Sequence, residues 1–388
     1  MTFAVVGAAA LAGCGSAATS SSAPSDDKAK TSDWASTLAR AKGDTVRFWM
    51  YGGDDKINAY IDDRAAPALS RLGVTLRRVP ITDTASAVQR VVAERRAGRT
   101  SGGGVDLIWI NGENFATGKQ AGLWLNGWST ALPNAQRFVN QGDPSISTDF
   151  KVPVDGAESP WWRAAFIYAY DSARITDPPR DFDALLAWAK AHPGRFTYPA
   201  PPDYTGSSFL RQVVAAKGED AAFAYLKELK PYLYRKGKVF PKSQAELEQL
   251  FGDGQVDFAM AYDANFINAD VRKGLFPKTA RPLVIGKGAL VNVSFVTIPA
   301  NAAHADAAKV LANVLLDPRL QAQKADPRVL GNPTVLDLNK LGARRALFEG
   351  SGAGASPYAL TDFGTPVTEL AAAKVAPLEK RWTAEVLR

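Results

Sequence analysis

Short apolar runs that break at polar turns and give way to helical spacing recur along this chain, and that alternation restricts its fold more than any other feature. Thr45–Met50 (TVRFWM) reads as a strand and breaks at Tyr51-Gly52-Gly53. Ile57, Tyr60, Ile61, Ala65, Leu69 and Leu72 then recur at helical spacing up to Gly73. Val74–Ile81 is a second strand, and Asp83 is placed to cap a helix through Val88, Val91 and Val92, with Gly98 beyond its end. Val105–Ile110 (VDLIWI) is a third, rich in β-branched and aromatic residues, and it stops at the turn signal Asn111-Gly112. A helix-like stretch through Phe115, Gln120 and Leu123 follows. Strand–helix alternation of this kind predicts a parallel sheet covered by helices. Open α/β sheets bind ligands at the carboxyl edge, which makes Asn111, Gly112, Glu113 and Asn114 candidate cleft residues. A plain strand-to-helix connection with polar caps fits that stretch equally well.

A second series predicts a second lobe. Ala164–Tyr170 is a strand ending in Asp171-Ser172, and Asp181 caps a helix carrying Leu185, Leu186 and Trp188. Phe196–Tyr198 is a brief strand. Asp203-Tyr204-Thr205-Gly206-Ser207-Ser208 leads into a helix with Phe209, Leu210, Val213 and Val214, with Ser207 or Thr205 as its cap. A helix start of that kind suits an anion or polar group, although most are ordinary caps. A helix over Glu219–Lys230, a capping box at Ser243 and Glu246, and a strand at Val256–Tyr262 ending in Asp263, Ala264 and Asn265 come next. Ala289–Pro299 is a strand, Ala305–Leu316 a helix, and a last helix runs from about Val367 to Leu387, interrupted at Pro377.

At 388 residues the chain is long enough for two or three domains. Its 46 Lys and Arg against 39 Asp and Glu leave +7, but no basic run or helix face concentrates that charge, so nucleic acid is not an expected partner. Two histidines, His192 and His304, and a single cysteine leave no His/Cys metal site or Cys–His pair to assemble. No metal or cofactor is expected. Gly102–Gly104 and Gly350–Gly354 lack the Lys-Ser/Thr pair of a phosphate loop.

Thr2–Ala12 is an apolar segment of small residues, shorter than the ~20 residues of a membrane-spanning helix, and reads as the core of a signal peptide. It ends in Leu11-Ala12-Gly13-Cys14, which resembles the lipobox of bacterial lipoproteins. The resemblance implies cleavage before Cys14 and lipidation of that residue. No Lys or Arg precedes the apolar run, a departure from the signal pattern. Residues 15–32 are Ser/Ala-rich and polar and read as a flexible tether. The expected product is an extracytoplasmic protein, lipid-anchored to a bacterial cell membrane.

The order of elements resembles that of bacterial ABC-transporter solute-binding proteins. More narrowly, FWMYGG, VDLIWINGENF, DGAESPWWRAAFIYAYDSARI, YTGSSFLRQ and DFAMAYDAN resemble the YnjB-like family of thiamine-type transporter components, over roughly residues 44–340. The resemblance implies an α/β, two-lobed, periplasmic-binding-protein-like (type II) clam shell, each lobe a mostly parallel sheet covered by helices. With the N-terminal reading above, the expected division is a signal peptide at 1–13, lipidated Cys14 and tether at 14–43, lobe 1 at 44–171 plus 282–330, lobe 2 at 172–281, and a C-terminal helical segment at 331–388 packing back on the lobes. The chain crosses near Asp171 and returns near Lys278–Pro282. Its partners are a small-molecule ligand and a permease with its ATPase; a monomer is expected.

Tyr51, Gly52, Gly53 and Asn111–Asn114 would line the cleft from lobe 1. Tyr204, Thr205, Gly206, Ser207, Ser208, Tyr262, Asp263 and Asn265 would do so from lobe 2, with Glu158, Trp161, Trp162 and Asn292 near the crossings. Aromatic faces and carboxylates suit a flat organic cation such as thiamine, while the glycine turn and Thr-Gly-Ser-Ser suit a phosphate group. Trp49 and Trp109, inside strands, read as core. Adjacent Trp161 and Trp162 would point to opposite faces, so one of them reaches the ligand. The alternatives are a polyamine binder of the same fold, a ferric-ion binder using Tyr232 and Tyr234, an exported hydrolase pairing Glu113 with Glu158, and an envelope scaffold without a closing cleft.

Overall fold

The computed structural model describes residues 26–110, 112–262, 266–326, 328–349, 364–365 and 367–388, with the side chains of 26–32 left aside. Cys14, Asn111, Asp263 and Asn265 therefore lie outside the described residues.

The strands are β1 (Thr45–Tyr51), β2 (Thr75–Ile81), β3 (Leu107–Ile110), β4 (Thr148–Asp149), β5 (Val152–Pro153), β6 (Glu158–Asp171), β7 (Phe258–Ala261), β8 (Ala280–Leu283), β9 (Leu290–Thr297) and β10 (Val367–Thr368). They are arranged as β2-β1-β3-β9-β6-β7, with β8 beside β6, β10 beside β9, and β4–β5 as a separate hairpin. In the first lobe β2, β1 and β3 are parallel. Their helices start where the sequence supplies a carboxylate. Asp54 accepts from Lys56 and Ile57 N–H at 2.8 and 3.1 Å. Asp83 accepts from Ala85 N–H at 2.8 Å.

Two long strands join the lobes. β6 pairs antiparallel with β9 from Glu158↔Thr297 to Phe166↔Leu290, then runs on to pair with β7 and β8. The buried core divides inside these strands. Trp161, Trp162 and Ala164 belong to the first apolar cluster and Ala165 onward to the second. On the way back Leu290 belongs to the second and Val293 to the first. Both crossings thus lie within paired strands, not in the turns near Asp171 and Lys278–Pro282. Turn residues mark where a strand stops; they do not mark where its surroundings change.

Several local expectations are corrected. In the second lobe β7 and β8 both run antiparallel to β6, because β6 enters from the first lobe and keeps its direction. Phe196–Tyr198 is buried but not a strand. The stretch assigned to the tether is helical over Asp26–Ala41. Trp34, Leu38 and Ala41, at helical spacing, pack it on the first lobe's core, and Arg40 pairs with Asp306 of the Ala305–Leu315 helix. The last helix starts at Ala372, after β10, and holds Pro377 inside it.

Candidate functional site

The described residues from both lobes meet where β3 ends and the Tyr204–Lys217 helix begins. Gly112 opens the Gly112–Gln120 helix at φ +60°, and an added Cβ would press on the Phe150 ring at 3.2 Å. Its N–H donates to Asp149 Oδ2 at 2.6 Å. Phe150 and Lys151, both at positive φ, form the tip of the β4–β5 hairpin. Non-glycine residues held there are strained, a condition that concentrates at functional sites. The hairpin presents the Phe150 ring 5.3 Å from the Arg211 guanidinium of the other lobe.

Arg211 is the centre of the group. It is 1% exposed and lies one helical turn beyond Ser207 and Ser208. Its Nη1 donates to Ser207 Oγ at 2.6 Å and Nη2 to Ser208 Oγ at 2.8 Å. Nε and Nη2 donate to the two oxygens of Glu369 at 2.9 and 3.3 Å. The Tyr204 ring lies 5.2 Å from the guanidinium and 5.3 Å from the Tyr262 ring. Tyr262 donates to Ser208 Oγ at 3.1 Å, and Asn292 of β9 donates to the Tyr204 hydroxyl. Ser207 donates to Glu379. Burial works against the Arg211 charge, but Glu369 and Tyr204 outweigh it and hold the cation firmly.

Acids crowd this interior. Burial pushes Glu113, Asp149 and Glu379 above the usual carboxylate range. Glu113 and Glu369 add to the rise at Asp149, and Glu113 and Asp83 to that at Glu379. A second acidic group faces across the lobes. Burial pushes Glu248 up to about 7, with Asp270 and Asp54 adding to the rise and Gln244 and Lys56 opposing it. Burial also raises the Tyr51 hydroxyl, near Asp54, Asp203 and Glu248. Neutral Glu248 fits its folded site better than the ion does. The stability it contributes is present below its ordinary value of 4.5 and is lost as pH rises to about 7. Unfolding measured from pH 4.5 to 8 is expected to show this loss, and Glu248→Gln to flatten it.

The structure brings Gly112, Glu113, Tyr204, Ser207, Ser208, Tyr262 and Asn292 into one neighbourhood. It also corrects several roles. Asp203, not Thr205 or Ser207, caps the Tyr204–Lys217 helix, accepting from Thr205 and Gly206 N–H at 2.9 and 3.1 Å. That carboxylate occupies the helix start that was read as an anion site. Thr205 is buried and donates to Gln244; Gly206 abuts Pro199, where a Cβ would lie 2.0 Å from the carbonyl oxygen. Gly52 packs under Pro80 and Gly53 under the Tyr51 ring. Trp161 and Trp162 are both buried, with rings 5.1 Å apart. A register shift between Pro160 and Trp162 breaks the strand alternation there. Trp109 joins both rings at 4.7 and 5.4 Å. Glu158 lines a different pocket, within the first lobe. Tyr232 and Tyr234 sit on short helical turns, not a strand; the tyrosines that meet in space are Tyr204 and Tyr262. Arg211, Glu369, Glu379 and Asp149 went unnoticed in the sequence. Only Arg211 carried a signal there, sharing a helix face with Ser207 at i,i+4.

Two lobes joined by paired strands, with a polar, aromatic interior at the carboxyl edge of the first sheet, define a solute-binding protein. The chain belongs to the bacterial extracellular solute-binding protein family, whose model matches residues 64–338. Membership in that family implies a small-molecule ligand and partnership with an ABC-transporter permease. It is 42% identical over 336 residues to protein YnjB of Escherichia coli (strain K12), covering 81% of this chain and 86% of that protein. The fold is shared with the periplasmic binding protein AfuA of Actinobacillus pleuropneumoniae, with fructose-6-phosphate bound. That match has TM-score 0.63 and 15% identity, covering 88% of this chain and 98% of that one. It is shared too with the ferric binding protein of Campylobacter jejuni, at TM-score 0.62 and 15% identity, with the same coverage. No helix among the described residues is long and apolar enough to cross a membrane.

Proposed function

We propose that the ligand is a small organic cation of the thiamine type, held between the lobes and handed to the permease. The observation that carries this is the charge balance of the interlobe interior. Glu113, Glu369 and Glu379 lie around Arg211, which Glu369 already pairs, and Asp149 adds a further acid beside Glu113 and Glu369. On the other side Asp54, Glu248 and Asp270 lie near Lys56, with Lys273 also near Asp270. Buried carboxylates in excess favour a cationic guest, and the Tyr204, Tyr262 and Phe150 faces suit a flat one.

The ferric-ion and sugar-phosphate cargoes of the structural neighbours fit less well. Burial raises the Tyr204 and Tyr262 hydroxyls, which opposes the phenolate form a metal would need. Asp203 stands where a phosphate would meet the helix start. Neither histidine supports a hydrolase: His192 stacks on Trp188 at 4.7 Å and His304 faces Asp44 at 3.2 Å. The mechanism is closure: the ligand favours the closed arrangement by its extra contacts there, and the closed form docks on the permease. Anchoring through Cys14 and a monomeric state belong to the same proposal.

Calorimetric titration with thiamine, its phosphate esters, putrescine and fructose-6-phosphate tests it. Saturable thiamine binding is expected, weakened about tenfold or more by Glu113→Gln and by Tyr262→Ala. Binding of fructose-6-phosphate alone, or of putrescine alone and undiminished in Glu158→Gln, would remove thiamine and leave the transport role in place.

A further inference from the structure

Glu158 opens β6 and is 1% exposed. Neither of its carboxylate oxygens has a hydrogen-bond partner among the described residues. It lines a pocket of about 310 Å³. Ala135, Val139, Ile146 and Val154, all buried, form an apolar part of the wall; buried Ser129 adds a hydroxyl, and Thr130, Gln141 and Ser147 are exposed. All these residues belong to the first lobe, and none touches Arg211, Tyr204 or Tyr262 by any contact described above. A buried carboxylate without a partner is costly, and such groups call for a donor.

We propose that this pocket is a second binding site, for a primary or secondary alkylammonium ion whose N–H groups bond Glu158 and whose short aliphatic body packs on Val139, Ile146 and Val154. The class follows from the chemistry of the walls. A quaternary ammonium has no N–H and would leave both oxygens unpaired. An anion would meet buried Glu158, and the nearby Lys119 is already paired with Asp155 at 2.6 Å. Among the described residues no group of three or more His, Cys, Asp or Glu could hold a metal ion. The volume is at the lower end of the ~300–1,000 Å³ of small-molecule sites, which limits the ligand to a short chain. Burial and the nearby charge of Asp149 raise the Glu158 carboxyl, with Lys119 opposing; the charge of a bound cation would act in the same sense as Lys119.

Calorimetric titration of the full chain with n-butylammonium chloride, against tetramethylammonium chloride at equal ionic strength, tests the site. Saturable binding of n-butylammonium is expected, and none of tetramethylammonium. Glu158→Gln should weaken it by about tenfold or more. Thr130→Trp, a substitution at the exposed mouth that leaves the core intact, should weaken it to a similar degree. Absence of saturable heat from the native chain, or an affinity in both variants equal to the native chain's, overturns the proposal.

Discussion

Arg211→Leu should cost about 3–5 kcal/mol of stability, the range for breaking a buried ion pair from one side. The substitution strands Glu369, which is 8% exposed, and removes the donors that serve Ser207 and Ser208. It also takes a cation from a cluster of acids whose mutual repulsion it offsets. Urea unfolding of the full chain measures the loss. The partner experiment is Arg211→Leu with Glu369→Leu. Removing both charges no longer strands Glu369 and takes one acid out of the cluster, so the double variant should recover much of the single variant's loss. A single variant within about 1 kcal/mol of the native chain would show that the pair is dispensable.

Trp382→Ala has the other large expected effect, about 3–5 kcal/mol. Trp382 is fully buried in the second lobe's core. Its ring packs 5.1 Å from that of Phe240, and its Nε1 donates to the Tyr198 hydroxyl at 3.0 Å. Truncation opens a cavity and orphans a buried hydroxyl at once. Trp382→Phe keeps an aromatic ring and loses the bond, so it should cost nearer ~1 kcal/mol. Hydrogen exchange should locate the loosening in the second lobe. Equal costs for the two variants would assign the effect to the bond alone.

Much of this was legible in the sequence. Local chemistry wrote it: Asp83 and Asp181 cap the helices they precede, and apolar runs became β1, β3 and β7. What stayed hidden depends on distant parts of the chain. Glu369 meets Arg211 across 158 positions, which no periodicity records. The divided core inside β6 and β9 is invisible for a similar reason, since both halves of each strand are equally apolar. The Trp161–Trp162 reading failed because one irregular residue resets which side chains share a face. Asp203 was passed over as a cap in favour of the hydroxyls beside it, although aspartate serves that position as well as serine does.

The tail of the chain has a mechanical consequence. Ala372 and Val375 pack with Phe150 of the first lobe, whereas Leu378, Trp382 and Val386 are sunk in the second. One helix therefore grips both jaws, beside the two strands that hinge them. A door wired to its frame swings only as far as the wire permits. Separating Phe150 from Arg211 must strip Ala372 and Val375 from one side or drag the hairpin with them. In the closure proposed above, the stroke of the shell would be limited by a belt outside its hinge, and the resting gap would depend on how tightly the last residues are fastened.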